Sequence, residues 1–343
     1  MKSSKKQFIG EAFGSLISND KAISCSKKSP VWLTILLFFL AIIFAVIPMT
    51  VNSANSYGSA FISRTAYGFD KTMTKIALEM SKDGVNYLTV NDNHELNITN
   101  SSESPAYKHT NVNTGRVEME VYFSAAKDSS SKRAFINTVT DHHYVLSDAG
   151  ETTTYYHSSY VVFFNNELYC CLYELGTENV LTTSAHGDYK TMKPGTDIVT
   201  LLTTVDGVKL TPTSDQAVLD ILAVSKNQDA LLNNWKKVFD KTYETVRTQN
   251  TLIGTGIYLG IFAGMSLIMG LLIWIMTRGK NNPFNYLTLW ACFKIECWAS
   301  VAPGLIGLIL GFFLTQYAVM IFIMCLGMRV MWISSKQLRP EVR

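Results

Sequence analysis

The sequence predicts a membrane α-helical protein of four spans that carries an extracytoplasmic α+β domain. Three observations predict it. Leu252–Thr277 runs for twenty-six residues without a charge. At about 1.5 Å per residue that crosses the roughly 30 Å hydrocarbon core of a bilayer with length to spare. Apolar runs lie near both ends of the 343 residues and bracket a polar middle, so the hydrophobic content of 48% averages two different regimes. Charge is segregated in the same way. Residues 1–31 hold six lysines against Glu11 and Asp20, residues 52–250 hold 17 basic against 23 acidic side chains, and residues 278–343 hold seven basic groups against Glu296 and Glu341. Basic ends beside apolar spans, with an acidic middle, place the ends in the cytoplasm and the middle outside.

Taken in order, residues 1–31 form a basic cytoplasmic segment. Within it FIGEAFGSLI (8–17) has helical apolar spacing and is expected either to lie along the inner membrane surface or to stay a loose arm. The first span, residues 32–51, contains the apolar run Trp32–Met49 and is expected to be an uncleaved signal anchor. Residues 52–250 make the outer domain. It opens with a helix over 60–82, ended near Asp83-Gly84. Short β-like runs follow: 87–90, 95–99, 116–125, 135–139, 143–148, 152–164 and 167–175. Asn165-Asn166 is expected to turn a hairpin in left-handed conformations, and Asp206-Gly207 a second, shorter one over 198–210. SSESP and KDSSSK read as exposed loops. Thr213-Ser214-Asp215 supply caps for the helix SDQAVLDILAVS, and a helix over 229–248 runs on into the next span as one arm.

That second span, 251–278, carries Gly256, Gly260 and Gly264 at every fourth position, with Ser266 and Gly270 one stripe over. Glycine costs helix propensity, so such a zipper implies a helix packed closely against it. Residues 279–298 form a cytoplasmic loop and a helix over 284–298, whose Lys294 and Glu296 favour an interfacial placement with charges toward water. The alternative is one long span from Tyr286 that buries both. The third span, 299–315, repeats small residues and proline at Ala299, Pro303, Gly307 and Gly311, and is the simplest partner of the glycine stripe, the alternative being a partner protein on that face. The fourth span, 316–334, holds Arg329 near its end, before a cytoplasmic tail at 335–343. Arg329 is expected to snorkel to the inner surface; the alternative pairs it with Glu296 or a lipid phosphate.

Chemistry-bearing motifs are few. The six cysteines give no disulfide framework, and Cys170 and Cys171, adjacent on a strand, point to opposite faces. His142-His143 beside Asp141 lacks an identifiable third ligand, and no HExxH, GxSxG, CxxC or phosphate-binding glycine loop occurs. Neither catalytic residue, cofactor nor metal is therefore expected. Nucleic acid is not an expected partner, because the basic groups cluster beside apolar runs without a recognition motif.

The leader KQFIGEAFGSLISNDKAI, the YVVFFNNELY hairpin, the helical arm and the run WACFKIECWASVAPGLIGLIL together resemble a bacterial membrane-protein family associated with maltodextrin utilisation. The outer domain, with its SSESP and KDSSSK loops, is longer than usual for that family. The resemblance implies an accessory membrane protein without catalytic residues. The expected function is accordingly a scaffold that binds membrane lipid and a partner such as a transporter or translocation complex. A small transporter or solute-binding membrane protein is the second expectation; it is disfavoured by the scarcity of polar groups in the spans.

Overall fold

A computed structural model describes residues 9–60, 69–147, 153–173, 181–279 and 282–339. The chain divides into two compact units, Ser56–Thr248 and a second formed by Met1–Asn55 with Gln249–Arg343.

The helical unit holds α1 (Asn19–Lys28), α2 (Val31–Ala54), the second half of a 52-residue helix (Ser225–Met276), and two later helices, Leu289–Phe313 and Ala318–Trp332. Among the described residues four helices are long and apolar enough to cross a membrane. Their shared core gathers Ile42, Ala45, Phe262, Met269, Ile273, Ile295, Ala299, Phe322, Leu326 and Val330. The expected split between a helix over 284–298 and a span over 299–315 is absent. Leu289–Phe313 is one helix, because the Thr288 hydroxyl caps it at Ala291 N (3.2 Å) and nothing interrupts it before Pro303. The tail is not free either. Leu338 is buried, and Asn282 Nδ2 donates to its carbonyl at 2.8 Å. Lys280 and Asn281 of the intervening loop, like the lysines at 2, 5 and 6, lie outside the described residues.

The sheet unit is a mixed sheet with helices on both faces. Its helix α3 (Phe69–Lys82) ends before Gly84, whose φ of +67° suits glycine; residues 61–68 of the expected helix lie outside the described residues. The strands are β1 (Tyr107–Thr110), β2 (Val117–Ser124), β3 (Tyr144–Ser147), β4 (Thr153–Tyr156), β5 (Ser159–Phe164), β6 (Glu167–Tyr173) and β7 (Leu181–Asp188). The main sheet runs β1-β2-β5-β6-β7, with β2 and β5 parallel and the other pairs antiparallel; β3 and β4 pair separately. The parallel pair requires a crossover. It is supplied by α4 (Ser129–Asp141), where a strand was expected over 135–139. The reason is local: Asp128, in the stretch read as a loop, accepts from Ser131 N at 2.9 Å and starts a helix with Phe135 and Val139 on its buried side.

Alternation along the central strands feeds two cores. Met119, Val121, Phe123, Val161, Phe163, Leu168 and Cys170 pack under α3 and Trp235. Tyr122, Tyr160, Val162, Phe164 and Cys171 meet α4 on the other face. Cys170 and Cys171 thus do point oppositely, both as free thiols.

Four further expectations change. The run 152–164 breaks into β4 and β5, which lie in different sheets. Runs 87–90 and 95–99 contribute only the isolated bridges Thr89 to Asp197 and Val90 to Leu96. Asn165 and Asn166 keep negative φ. The turn is held instead by its neighbours: Asn165 Oδ1 accepts from Ile98 N (3.2 Å) and its carbonyl from Leu96 N (2.6 Å). Finally, Asp197 caps a short helix α5 (Ile198–Thr203) ahead of the small hairpin β8 (Thr204–Val205) and β9 (Val208–Lys209). That hairpin does turn at Asp206-Gly207, with φ of +50° and +80°. Residues 174–175 of the expected strand lie outside the described residues.

Ser214 caps α6 (Asp215–Leu222) by accepting from Ala217 N at 3.2 Å, and the following helix, α7, is the continuous Ser225–Met276. Its Trp235 is fully buried, stacks on Phe239, and donates from Nε1 to Met73 O at 2.9 Å. Replacing Trp235 by Ala should cost about 3–5 kcal/mol, read as a lower denaturation midpoint of the full chain in detergent. Asp128→Ala should cost only about 1 kcal/mol, since a single cap is lost.

Candidate functional site

The predicted site residues lie in the helical unit, on α7, α8 (Leu289–Phe313) and α9 (Ala318–Trp332). The small-residue stripe of α8 is packed as expected, but against a different helix. A Cβ at Gly304 would stand 2.7 Å from Ala41 O, one at Gly307 would be 3.8 Å from Ala45 Cα, and one at Gly311 would be 2.8 Å from Pro48 Cγ. Backbones therefore approach closely between α8 and α2, where little but van der Waals contact holds helices together in an apolar medium.

The stripe on α7 is the reverse case. Gly256, Gly260 and Gly264 have nothing within 4 Å of an added Cβ, and the first two are exposed. The expected contact with Gly307 and Gly311 is absent. α7 packs through the neighbouring stripe instead: Phe262 sits edge-on to Phe322, Ser266 is buried, and Gly270 lies against Phe293. Toward α2 it uses hydroxyls, with Thr255 to Thr50 at 2.9 Å and Thr251 to Ser53 at 3.2 Å. The sequence signal for this was the polar Ser266 among apolar neighbours, which needs a buried partner.

That partner is Glu296. Its side chain is fully buried, and Oε1 accepts from Ser266 Oγ at 2.6 Å, while Oε2 has no hydrogen-bond partner. The expectation that Lys294 and Glu296 face water fails for both. Half-buried Lys294 donates from Nζ to Ser29 O at 2.7 Å, at the carboxyl end of α1, where a cation complements exposed carbonyls. Trp298 Nε1 donates to Ser29 Oγ at 3.1 Å.

Arg329 does not pair with Glu296. Its Nε donates to Asn19 Oδ1 (2.8 Å), Nη1 to Ala299 O (2.9 Å) and Nη2 to Ser15 O. The middle bond has a clear cause. Ala299 is four residues before Pro303, which has no N–H, so that carbonyl lacks its helical donor and the guanidinium replaces it. One side chain thereby ties the N-terminal segment, α8 and α9 together.

In the sheet unit, sequence reasoning did not single out Glu120, which lies within the β-like run 116–125. Both faces of β2 are covered, and Glu120 is buried, accepting from Tyr122 OH (3.1 Å), Tyr144 OH and Ser158 Oγ. Burial, reinforced by the adjacent carboxylate, holds the Tyr122 and Tyr144 hydroxyl protons well above the usual phenol range. His142 and His143 do not converge on this cluster in a ligand set. His143 Nδ1 lies 3.1 Å from Asp141 O, and His142 O lies 3.1 Å from His157 Nδ1.

The Pro303–Arg329 arrangement predicts a coupling. Arg329→Gln should lower the unfolding midpoint in detergent. Pro303→Ala restores an N–H to Ala299 O, so in that background the same change should cost about 1 kcal/mol less. Additive effects in the double-mutant cycle would contradict the assignment.

Compared with known proteins, the chain matches no family profile, no curated protein and no solved structure.

Proposed function

We propose that this chain is a non-enzymatic integral membrane accessory protein that docks a transmembrane helix of a partner, such as a transporter or translocation complex. The observation that carries the reading is the open glycine face of α7. Among the described residues nothing lies within 4 Å of a Cβ added at Gly256, Gly260 or Gly264, whereas Gly304, Gly307 and Gly311 of α8 are filled by α2. A helix that gives up propensity at three positions gains only if another backbone comes close there. The resemblance in layout to the maltodextrin-associated membrane family, read from the sequence alone, supports the same accessory role. In this reading residues 52–250 lie outside the cell membrane and both termini lie in the cytoplasm, as the charge segregation requires.

A small transporter is the second reading. It is favoured by the buried Glu296, whose Oε2 has no partner, since ionisable groups within spans mark substrate or ion routes.

Gly260→Leu separates the readings. It should abolish stoichiometric copurification of the partner in mild detergent while leaving the melting temperature unchanged. Gly304→Leu, placed against Ala41, should lower the melting temperature itself. A partner that survives Gly260→Leu, or a drop in intrinsic stability on making it, removes the docking face. For orientation, a cysteine at Lys127 should react with impermeant maleimide on intact cells and one at Arg339 should not. The opposite pattern would invert the topology.

A further inference from the structure

We infer that the N-terminal segment 9–28 is a lipid-binding collar, with Ile9, Phe13 and Ile17 entering the acyl boundary and Lys21, Lys27 and Lys336 gathering anionic phospholipid headgroups. Ile9, Phe13 and Ile17 are 55%, 71% and 93% exposed and recur every four residues along a helical stretch and its closing turn. Three large apolar side chains in one exposed row mark a contact surface. The opposite side of the segment is already occupied. Ala12, Ala22 and Cys25 pack with Trp298, Leu33 and Leu37, Ser15 O and Asn19 are held by Arg329, and Ser29 O is held by Lys294. The segment is thus fixed in position with its apolar row turned outward.

Its level follows from the tryptophans. Trp32 begins α2, Trp274 lies in the last turn of α7, Trp290 begins α8 and Trp332 ends α9. Three of them are exposed, at 65%, 44% and 58% for Trp32, Trp290 and Trp332. A belt of indoles at the same end of four apolar helices marks the headgroup region. α1 packs on α8 and on the turn Ile333–Gln337 at that end.

Charge selects the headgroup. Lys21 and Lys27 are exposed on the segment and Lys336 on the turn packed against it, and Lys28 is neutralised by Glu11 at 2.8 Å, which leaves exposed Asp20 as the opposing charge. An apolar row flanked by lysines is the pattern of a helix lying in the interface of an anionic membrane.

The test uses the full chain reconstituted in vesicles of phosphatidylcholine containing phosphatidylglycerol. A nitroxide on Ile17→Cys, in a Cys325→Ser background, is compared with one on Asp20→Cys by collision with oxygen and with a water-soluble nickel chelate. The other cysteines are buried. The label at position 17 should favour oxygen, at a depth of about 5–10 Å below the headgroups, while that at position 20 should favour nickel. In native mass spectra, the combined change Lys21→Gln, Lys27→Gln and Lys336→Gln should reduce retained phosphatidylglycerol several-fold relative to phosphatidylcholine. A label at 17 that reads aqueous, or one shielded from both reagents by protein, overturns the collar. Unchanged phosphatidylglycerol retention overturns its headgroup selection. None of these readouts depends on a partner protein, so they stand apart from the docking face of α7.

Discussion

The helical unit depends on one hydrogen bond that a proline makes necessary. An amide carbonyl buried without a donor costs about 1–3 kcal/mol, and Pro303 leaves such a carbonyl at Ala299. Arg329 supplies the donor from another helix and gives two further N–H groups to Asn19 and Ser15. A charged side chain in an apolar helix is tolerable only when its donors are matched. Here the matching fixes the geometry of three segments at once. The same economy explains Lys294, whose ammonium closes the carboxyl end of α1.

Around that node the helices divide their work between small residues and hydroxyls. Gly304, Gly307 and Gly311 admit the backbone of α2. Thr251 and Thr255 meet Ser53 and Thr50 by hydrogen bonds that the apolar surroundings do not contest. The glycines of α7 stay open while those of α8 are filled, so the two glycine stripes of the sequence have different surroundings.

The long apolar helices were legible because charge-free runs of that length have few other fates. So were the caps at Ser214 and the turn at Asp206-Gly207, which depend on local chemistry alone. What the sequence hid was non-local. Whether Gly260 or Gly270 meets a neighbour depends on the rotation of α7, which periodicity does not specify when both stripes are small. Glu296 read as water-facing because its partner Ser266 is thirty residues away. The helix over 129–141 was hidden by three serines that look like a loop but follow a capping aspartate. Glu120 alternates with apolar residues as a solvent-facing side chain would, and its partners Tyr144 and Ser158 come from more than twenty residues away.

The bond from Arg329 to Ser15 spans 314 residues, which gives assembly a time order. At roughly 5–20 residues per second, about 15–60 s separate the synthesis of its two ends. For nearly all of that interval α2 exists without a complete α8, and throughout it the guanidinium that clamps the leader is missing. The N-terminal segment therefore lacks this clamp until α9 is made. α9 thus completes the hold on a segment made long before it, so losing Arg329 would leave Ser15 and Asn19 without their donor while Lys294 still held Ser29 O.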